Sequence, residues 1–306
     1  MLDIYALKIF LVAAETENFS EAARQLNLTQ PAVSMQIRDL ERSLKVSLFH
    51  RSGRSLSLTE AGRMLIPLAR DIVNRAIRLE EEIESLKGEV VGHLKVDCSV
   101  TNCKYVLPHL VARFRQRHPK VQITIYDCNR QTAIQELGDG TVQLAVVSSQ
   151  PPGRDAEYRH FFTDNVVLIV PVSHAWAEQG VIEPECLRQT ELILHNPESG
   201  TRQDVEVALR KTGLDINDLN VVVEIGSSEA ISVAVEDGMG AAFVSRIVAQ
   251  RGIELGKVKE VQVAGLSLQR EVFIAYSRRH PASQARAEFW KFIQETENET
   301  LLKLAM

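Results

Sequence analysis

Apolar residues near the start of the chain recur at helical spacing, which predicts three short helices. The first covers about 3–17, where Leu7 and Phe10 lie on one face. Ser20 has the side chain of an N-cap and is expected to begin the second helix. Thr29 is the expected cap of the third helix. The pattern therefore predicts a small all-α unit at this end of the chain.

The third predicted helix has one apolar face and one polar face. Val33, Ile37 and Leu40 recur at helical spacing and are expected to face the core. The polar face and the exposed start of the helix carry Gln30, Pro31, Ser34, Met35 and Arg38. In a helix-turn-helix, hydrogen-bonding groups at this end of the second helix reach base edges in the major groove. We therefore predict a DNA-binding helix-turn-helix.

A basic stretch with alternating polarity follows the helices. Residues 46–58 alternate around Gly53, which predicts a small β-wing with Arg51 and Arg54 near its tip. The whole chain is acidic, with 35 Lys+Arg, 40 Asp+Glu and a formal net charge of −5. Residues 18–58, in contrast, contain six basic and three acidic side chains, a net charge of +3. Such a surface can bind phosphate, but charge alone does not distinguish it from an ordinary solvated surface.

These elements lie in a string that resembles, without a gap, the winged helix-turn-helix of the LysR-type transcriptional regulators: AARQLNLTQPAVSMQIRDLERSLKVSLFHRSGRSLSLTEAG. The resemblance implies a cytoplasmic homotetramer that binds double-stranded DNA, responds to a small molecule and contacts RNA polymerase. The predicted DNA-contacting residues are Ser20, Thr29, Gln30, Pro31, Ser34, Met35, Arg38, Arg51 and Arg54. By the resemblance, those on the third helix occupy groove-contacting positions, and the two wing arginines occupy phosphate-contacting positions.

A long helix is predicted after the wing, over 59–87. Its apolar residues form a heptad seam with spacings of alternately four and three: Leu65, Ala69, Ile72, Ala76, Leu79, Ile83 and Leu86. The opposite face is almost wholly charged, which disfavours packing against the helix's own domain. A helix of this length spans about 43 Å, so two of them can hold DNA-binding units about one DNA turn, about 34 Å, apart. A dimer would also strengthen a weak positive surface through multivalency.

From Gly88 onward, apolar strands alternate with helical segments. Strands are predicted at 94–98, 121–126, 142–148, 166–171, 192–195, 221–224, 240–244 and 271–277, and helices at 106–118, 132–137 and 282–297. This alternation predicts a mainly parallel sheet with helices on both faces. In the LysR-type family, such a chain makes two α/β lobes, and its last strand and helix return to the first lobe.

The predicted fold class is α/β with three parts: an all-α-type N-terminal winged helix-turn-helix domain, a long linker helix, and a C-terminal two-lobed effector domain like that of periplasmic binding proteins. The predicted domains are 1–58 for DNA binding, 59–88 for linkage and dimerisation, and 89–306 for regulation. Within the last, lobe I comprises 89–160 plus 267–306, and lobe II comprises 161–266.

Polar residues follow several predicted strands, at the edge where ligands bind in α/β folds. The predicted effector-binding residues are Ser99, Thr101, Asn102, Asn129, Ser148, Ser199, Thr201 and Ser227. Residues 99–102 open a helix after the first strand, and residues 199–202 resemble the family's effector-contacting SGTR turn. Hydroxyls and free helix amides favour a small anionic or polar effector such as a carboxylate. Simple helix capping is the alternative explanation, above all for Thr201.

Cysteine spacing leaves one alternative open. Cys98, Cys103, Cys128 and Cys186 have neither zinc-like spacing nor the density of a disulfide framework. The first three are predicted to lie near the cleft between the two lobes, which leaves a redox-responsive regulator of the same family as an alternative. Small buried side chains are the simpler interpretation.

Other function classes are disfavoured. No GxSxG, HExxH or Walker pattern is present, and the eight histidines are scattered, so we predict no enzyme, no metal site and no cofactor beyond the effector. A solute-binding or ligand-storage protein would match the two lobes but would not need the DNA-binding unit. The start of the chain lacks the pattern of an export signal, and its apolar runs are too short to span a membrane. We therefore expect a cytoplasmic protein without a membrane partner.

Overall fold

The computed structural model describes residues 2–52, 55–86, 88–148 and 155–295. Its α-helices are α1 (Ile4–Thr16), α2 (Phe19–Gln25), α3 (Gln30–Leu44), α4 (Glu60–Ser85), α5 (Val100–Tyr105), α6 (Leu107–Arg117), α7 (Arg130–Asp139), α8 (Ala175–Gln179), α9 (Gly200–Lys211), α10 (Ser228–Glu236), α11 (Arg246–Glu254) and α12 (Gln284–Phe292). Its strands are β1 (Phe49–Ser52), β2 (Ser55–Leu58), β3 (Gly92–Cys98), β4 (Val121–Asp127), β5 (Leu144–Val147), β6 (Ala156–Pro171), β7 (Val181–Ile182), β8 (Leu192–His195), β9 (Val221–Ile225), β10 (Ala241–Ser245), β11 (Val258–Val263) and β12 (Gln269–Ser277). Within these ranges, no helix combines the length and the apolar character that a membrane span requires.

Helices α1 to α3 form the predicted helix-turn-helix, and local caps determine where they begin. Thr29 caps α3 as predicted, because its hydroxyl accepts a hydrogen bond from the amide of Ala32 at 3.3 Å. The prediction that Ser20 begins α2 is wrong. The side chain of Asn18 accepts from the amides of Ser20 and Glu21 at 2.9 and 3.2 Å. Asn18 has the extended backbone that a cap requires, whereas Ser20 lies inside the first turn.

The N-terminal unit closes around a single apolar core. Phe49 of β1 lies between two aromatic rings, with ring centroids 5.7 Å from Phe10 and 5.4 Å from Phe19. Ala22 and Ala23 of α2 are buried. Since their side chains are small, α2 can lie close to the neighbouring helices. Strands β1 and β2 pair antiparallel and form the predicted wing. Helix packing and the wing hairpin thus hold α3 at a fixed angle.

Helix α4 has 26 residues and spans about 39 Å. The predicted heptad seam is wrong at its first two positions, because Leu65 and Ala69 pack into the core of the N-terminal unit. A straight helix drifts by about 20° per heptad from a 3.5-residue repeat, so one seam does not stay on one face. Apart from Ile77, the large exposed apolar side chains of α4 instead form a row, which we call the α4 stripe: Met64, Leu68, Ile72, Leu79, Ile83 and Leu86.

The charged face of α4 is not solvated along its whole length, contrary to prediction. Asn74 Nδ2 donates to the carbonyl oxygen of Gly140 at 2.9 Å. The carboxylate of Glu81 accepts a hydrogen bond from the amide of His93 at 3.2 Å. Polar side chains of α4 satisfy backbone groups at this contact. The charged face of a helix can therefore still pack against its own chain.

The C-terminal part is built on a 10-stranded sheet with the order β4-β3-β5-β12-β6-β10-β8-β9, to which β11 and β7 attach beside β6. Strands β3, β4 and β5 pair parallel, as do β8, β9 and β10. The prediction of a mainly parallel sheet is wrong at the centre, where β6 and β12 are antiparallel to each other and to their neighbours. The chain crosses between the two halves once in each direction, so the strands at the crossing run in opposite directions.

Two α/β lobes meet at this crossing. In lobe I, strands β3, β4, β5, β12 and the start of β6 pack against α6 and α12 around Phe114 and Phe289. In lobe II, the end of β6 and strands β7 to β11 pack against α8 to α11. The helix predicted at 106–118 is α6, which begins one residue later than predicted, at Leu107. Pro108 favours the first turn of a helix, so it marks the start of α6 and separates it from α5. The predicted final helix ends earlier, at Phe292, and the residues after 295 lie outside the described ranges.

Candidate functional site

The polar face of α3 is open to solvent. The exposed predicted positions on it are Gln30, Pro31, Met35 and Arg38, and Ser34 is half-buried. Arg38 Nε donates to the carbonyl oxygen of Ser34 at 3.2 Å, and among the described residues no carboxylate pairs with its guanidinium. The neighbouring Arg42, in contrast, pairs with Asp39 at 3.0 Å. Arg38 therefore keeps donors free for an external acceptor.

The chemistry of this face suits the major groove. Glutamine and arginine side chains can bind base edges through two hydrogen bonds, and the exposed thioether of Met35 offers an apolar contact to a thymine methyl. Ser20 is exposed at the start of α2, whereas the hydroxyl of Thr29 is engaged as the α3 cap. The side chain of Arg51 and the whole of Arg54 lie outside the described part of the chain.

A buried ion pair lies where the lobes cross. Arg270 Nη2 of β12 lies 2.5 Å from Asp164 Oδ2 of β6, and the hydroxyl of Ser245 donates to the other carboxylate oxygen at 2.7 Å. Arg270 Nη1 also donates to Thr201 Oγ1 of α9 at 3.2 Å. The pair therefore connects both crossing strands to the helix that follows the predicted SGTR turn.

Two buried polar atoms at this ion pair make no hydrogen bond with the described residues. Arg270 Nε and His195 Nε2 are buried, and neither has a hydrogen-bond partner among the described residues. Burial lowers the pKa of His195 to about 4, with a further contribution from the positive charge of Arg270, so the imidazole is neutral near pH 7. Burial also raises the pKa of Asp204, which lies 4.0 Å from Arg270. The free Nε–H of Arg270, close to the N-terminal turn of α9, is a donor that favours an anion.

An ion pair bridges the two lobes on the other side of the cleft. Lys104 Nζ of α5, in lobe I, lies 3.1 Å from Glu229 Oε1 of α10, in lobe II. Ser99 precedes α5 and is exposed, and Ser227 caps α10 by accepting from the amide of Ala230 at 3.4 Å. The end of α5 and the start of α10 are therefore joined by a salt bridge that any change of lobe angle must rearrange.

The predicted effector residues separate into engaged and available groups. Asn129 and Ser227 act as helix caps, which is the alternative that the sequence left open. Thr201 is not a cap: it is buried, and its hydroxyl accepts from Arg270. Ser199 occupies the cap position of α9 without a capping bond, so its hydroxyl is not used by the helix. Thr101 and Ser148 are half-buried, and the side chain of Asn102 lies outside the described part.

Sequence reasoning missed Asp164, Arg270 and His195. A usable signal was present, because Asp164 and Arg270 each stand at the edge of a predicted apolar strand and carry opposite charges. Charges on buried strands are rarely tolerated without a partner. The sequence does not indicate which strands are neighbours, so it could not have paired them.

The cysteines have different environments. Cys98 is disulfide-bonded, whereas Cys128 and Cys186 are free thiols, and the side chain of Cys103 lies outside the described part. Burial raises the pKa of Cys128 to about 12, and the negative charges of Asp97 and Glu136 act in the same direction. The reactive species of a cysteine is the thiolate, so this environment argues against Cys128 as a redox sensor.

Asp97 itself is a buried acid, only 1% exposed, and neither of its carboxylate oxygens accepts a hydrogen bond of ordinary geometry from the described residues. Burial, followed by the negative charge of Glu136, raises the pKa of Asp97 from 3.8 to about 6. The unfolded chain ionises this group more easily than the folded chain, so ionisation costs stability above about pH 6 and costs nothing below about pH 4.

We expect Asp97→Asn to increase the free energy of unfolding by about 2–3 kcal/mol at pH 7.5. This figure follows because each unit by which folding raises the pKa of a carboxyl group costs about 1.4 kcal/mol once the group is ionised. The gain should disappear as the pH falls towards about 4. Urea unfolding across this pH range measures it, with Asp127→Asn, at an exposed position on the neighbouring strand, as the control. A gain that does not depend on pH would contradict the assignment.

Comparison with known proteins identifies the two parts. A family described as "Bacterial regulatory helix-turn-helix protein, lysR family" matches residues 4–63, and one described as "LysR substrate binding domain" matches residues 87–298. The HTH-type transcriptional activator CmpR of Synechocystis sp. is 32% identical over 291 residues, which cover 95% of this chain and 94% of that protein. A probable RuBisCO transcriptional regulator of Trichormus variabilis is 31% identical, with coverage of 92% and 85%.

Solved structures of similar fold span nearly the whole chain. A full-length OxyR variant from Pseudomonas aeruginosa has a TM-score of 0.72 at 20% identity and covers 99% of this chain and 95% of that one. CbnR in complex with its target DNA has a TM-score of 0.66 at 21% identity, with coverage of 96% and 99%. The likeness therefore extends over the winged helix-turn-helix, the long connecting helix and the two-lobed α/β unit of this chain. With both of its parts matched, the chain belongs to the LysR family of transcriptional regulators, with a DNA-binding helix-turn-helix and an effector-binding domain.

Proposed function

We propose that a small anionic or polar effector binds between the lobes, against the N-terminus of α9, and changes how the protein holds DNA. One observation carries this proposal: Arg270, which joins both crossing strands to Thr201, has a buried Nε without an acceptor among the described residues. A carboxylate at that point would accept from Arg270 and from the free amides of α9. Because Arg270 and Asp164 lie on the strands that cross between lobes, a ligand there would alter the lobe angle.

A thermal-shift screen of metabolite anions against the full chain tests this proposal, since a ligand that binds the folded state raises the melting temperature. For an anion that gives a shift, Thr201→Val should weaken binding by about tenfold, because a hydrogen bond to a charged group is lost. Thr212→Val, at the far end of the same helix, is the control and should bind normally. Equal binding by both variants would place the effector elsewhere.

We also propose that the α3 face reads the operator, through Gln30, Pro31, Ser34, Met35 and Arg38, supported by Ser20, Thr29 and the wing arginines Arg51 and Arg54. Arg38→Ala is expected to weaken operator binding by about tenfold or more, because it removes up to two hydrogen bonds to a base edge. Arg42→Ala removes an equally exposed arginine of the same helix that is already paired with Asp39, so its effect should be several-fold smaller. Fluorescence anisotropy at one fixed salt concentration, with specific and scrambled duplexes, measures both.

The next proposals concern the oligomeric state of the protein, its location in the cell and its domain bounds. We propose a homodimer formed along the α4 stripe that assembles further to a homotetramer, acts in the cytoplasm and contacts RNA polymerase. The division into 1–58, 59–88 and 89–306, with lobes at 89–160 plus 267–306 and at 161–266, is supported by separate apolar cores in the N-terminal unit and in each lobe. The regulators to which the chain is similar are transcription factors, which supports a role without catalysis.

Thiol-dependent regulation is a second candidate, favoured by the disulfide at Cys98. It predicts that an oxidant and a reductant change operator affinity in opposite directions and that Cys98→Ser removes this response. An unchanged response in Cys98→Ser would exclude this role for Cys98.

A further inference from the structure

A cavity of about 260 Å³ lies between helix α4 and lobe I, away from the cleft. Its walls come from three parts of the chain: α1 of the DNA-binding unit, α4, and the lobe I segments around His93, Gly140 and His280. Contacts at its edge hold α4 against lobe I, through Asn74 on the Gly140 carbonyl and Arg70 on the Thr141 hydroxyl. The cavity therefore lies where the DNA-binding unit and the regulatory unit meet.

The walls of this cavity carry excess positive charge. Its basic side chains are Lys8, Arg75, Arg78, Lys95 and Arg286, and its acidic side chains are Asp71 and Glu81. Asp71 is paired with Arg75 at 3.0 Å, and Glu81 accepts from the backbone of His93. Burial raises the pKa of Glu81, which weakens it further as a counter-charge. Lys8 and Lys95 have no ion-pair partner among the described residues, whereas Arg78 pairs with Glu82 at 3.1 Å. The five basic side chains and, with Glu82, three acidic ones leave an excess of two positive charges at the cavity.

Arg286 is the most unusual of these groups. It is only 7% exposed, its Nη1 donates to the carbonyl oxygen of His280 at 3.3 Å, and its guanidinium lies 4.9 Å from the centre of the Tyr276 ring. No carboxylate of the described residues pairs with it. Burial lowers its pKa, and the positive charge of Arg78 acts in the same direction. Arg78 has Glu82 as its partner, but a buried cation such as Arg286 is costly unless an anion compensates it as well.

Two other arginines of the described residues, one buried and one mostly buried, show the usual arrangement. Arg202 is held by Glu206 at 2.6 Å and Glu224 at 3.1 Å, and Arg270 is held by Asp164. The chain thus supplies a carboxylate at two such positions and supplies none at Arg286. The structural role of Arg286, on the His280 carbonyl and the Tyr276 ring, accounts for its position but not for the cations gathered around it.

We propose that this cavity binds a small oxyanion, carrying two or more negative charges on phosphate or carboxylate groups, between Arg286, Arg78, Lys95 and Lys8. Its volume is slightly below the range of about 300–1,000 Å³ for drug-sized ligands, which fits a small ion or metabolite. Lys8 belongs to α1, Arg78 to α4, and Lys95 and Arg286 to lobe I. A bound anion therefore ties the DNA-binding unit to lobe I. It is a second regulatory site, independent of the effector cleft.

Titration of the full-length protein with inorganic phosphate tests the site, at constant ionic strength maintained with potassium chloride. We expect saturable heat of binding, and a Kd that rises about tenfold in Arg286→Gln, because a charged hydrogen-bond donor is lost. Lys95→Gln should weaken binding several-fold. Lys291→Gln is the matched control, because Lys291 lies on the same helix as Arg286, is exposed and pairs with Glu288. Phosphate binding that is lost in Thr201→Val and kept in Arg286→Gln would place the anion in the cleft and overturn the proposal.

Separate titrations with citrate distinguish a carboxylate ligand from a phosphate ligand. Hydrogen exchange gives a second readout, since amides in 70–82 and 138–143 should exchange more slowly when the anion is bound. If Arg286→Gln does not fold, Lys8→Gln and Lys95→Gln decide the outcome, because Lys8 is exposed and Lys95 is only half-buried. Absence of saturable binding of either anion up to about 10 mM overturns the proposal, and so does binding that these lysine variants leave unchanged.

Discussion

The double substitution Leu79→Glu with Ile83→Glu is expected to leave the protein monomeric and to weaken operator binding by about a hundredfold or more. Both side chains are 59% exposed in the single chain and lie at the centre of the outer half of the α4 stripe. A contiguous apolar row of this kind on a charged helix is an association surface. Two glutamates would place like charges opposite one another in a twofold interface and would remove the multivalent contact with DNA.

Sedimentation measures the mass of this variant, and anisotropy measures its affinity for the operator. Val207→Glu with Leu255→Glu is the matched control, because these residues are 52% and 62% exposed but lie singly on lobe II. The control should keep both the native mass and the native affinity. A monomeric double variant that binds the operator at full strength would refute the dimer.

Loss of one partner of the buried Arg270–Asp164 pair is the change with the largest expected effect on stability. Asp164→Ala should lower the free energy of unfolding by about 3 kcal/mol, since it removes the close partner of a mostly buried guanidinium and leaves only Asp204, 4.0 Å away, as a counter-charge. Asp164 is 2% exposed and also accepts from Ser245, so no solvent replaces the lost contacts. Urea unfolding followed by tryptophan fluorescence at Trp176 and Trp290 reports on both lobes.

Two further variants separate this effect from general disruption. Arg270→Met in the Asp164→Ala background removes the orphaned charge and should recover much of the lost stability. Glu260→Ala breaks the exposed pair with Arg246, 3.0 Å long, and should cost no more than about 1 kcal/mol. If Asp164→Ala costs as little as Glu260→Ala, the buried pair is not what holds the lobes at the crossing.

In the DNA-binding unit, the sequence predicted the positions of the helices but not every residue that caps them. Helical spacing located α1 to α3, and Thr29 caps α3 as its side chain predicts. Ser20 failed as a cap because Asn18, two residues earlier, is equally suited and has the extended backbone. Two good caps this close are equivalent in sequence, and only the conformation of the chain chooses between them.

In helix α4, the heptad repeat predicted an apolar side but not which surface that side contacts. The heptad pattern identified a helix with an apolar side, but Leu65 and Ala69 are used by the core of the N-terminal unit, and the exposed row begins at Met64. The charged side packs in part against lobe I through Asn74 and Glu81. A periodic sequence gives the faces of a helix, but not the identity of the surface that each face meets.

The sequence by itself determined the three helices and the wing of the DNA-binding unit, the polar face of α3 and the alternation of strands and helices after residue 88, because spacing, capping and apolar runs are properties of neighbouring residues. Only the tertiary structure decided which side chains act together. Asp164 and Arg270 are separated by 106 positions and meet because β6 and β12 cross side by side. Arg286 and Arg78 line one cavity because α4 packs against lobe I. Contacts of this kind depend on which elements become neighbours, and that is settled by packing of the whole chain.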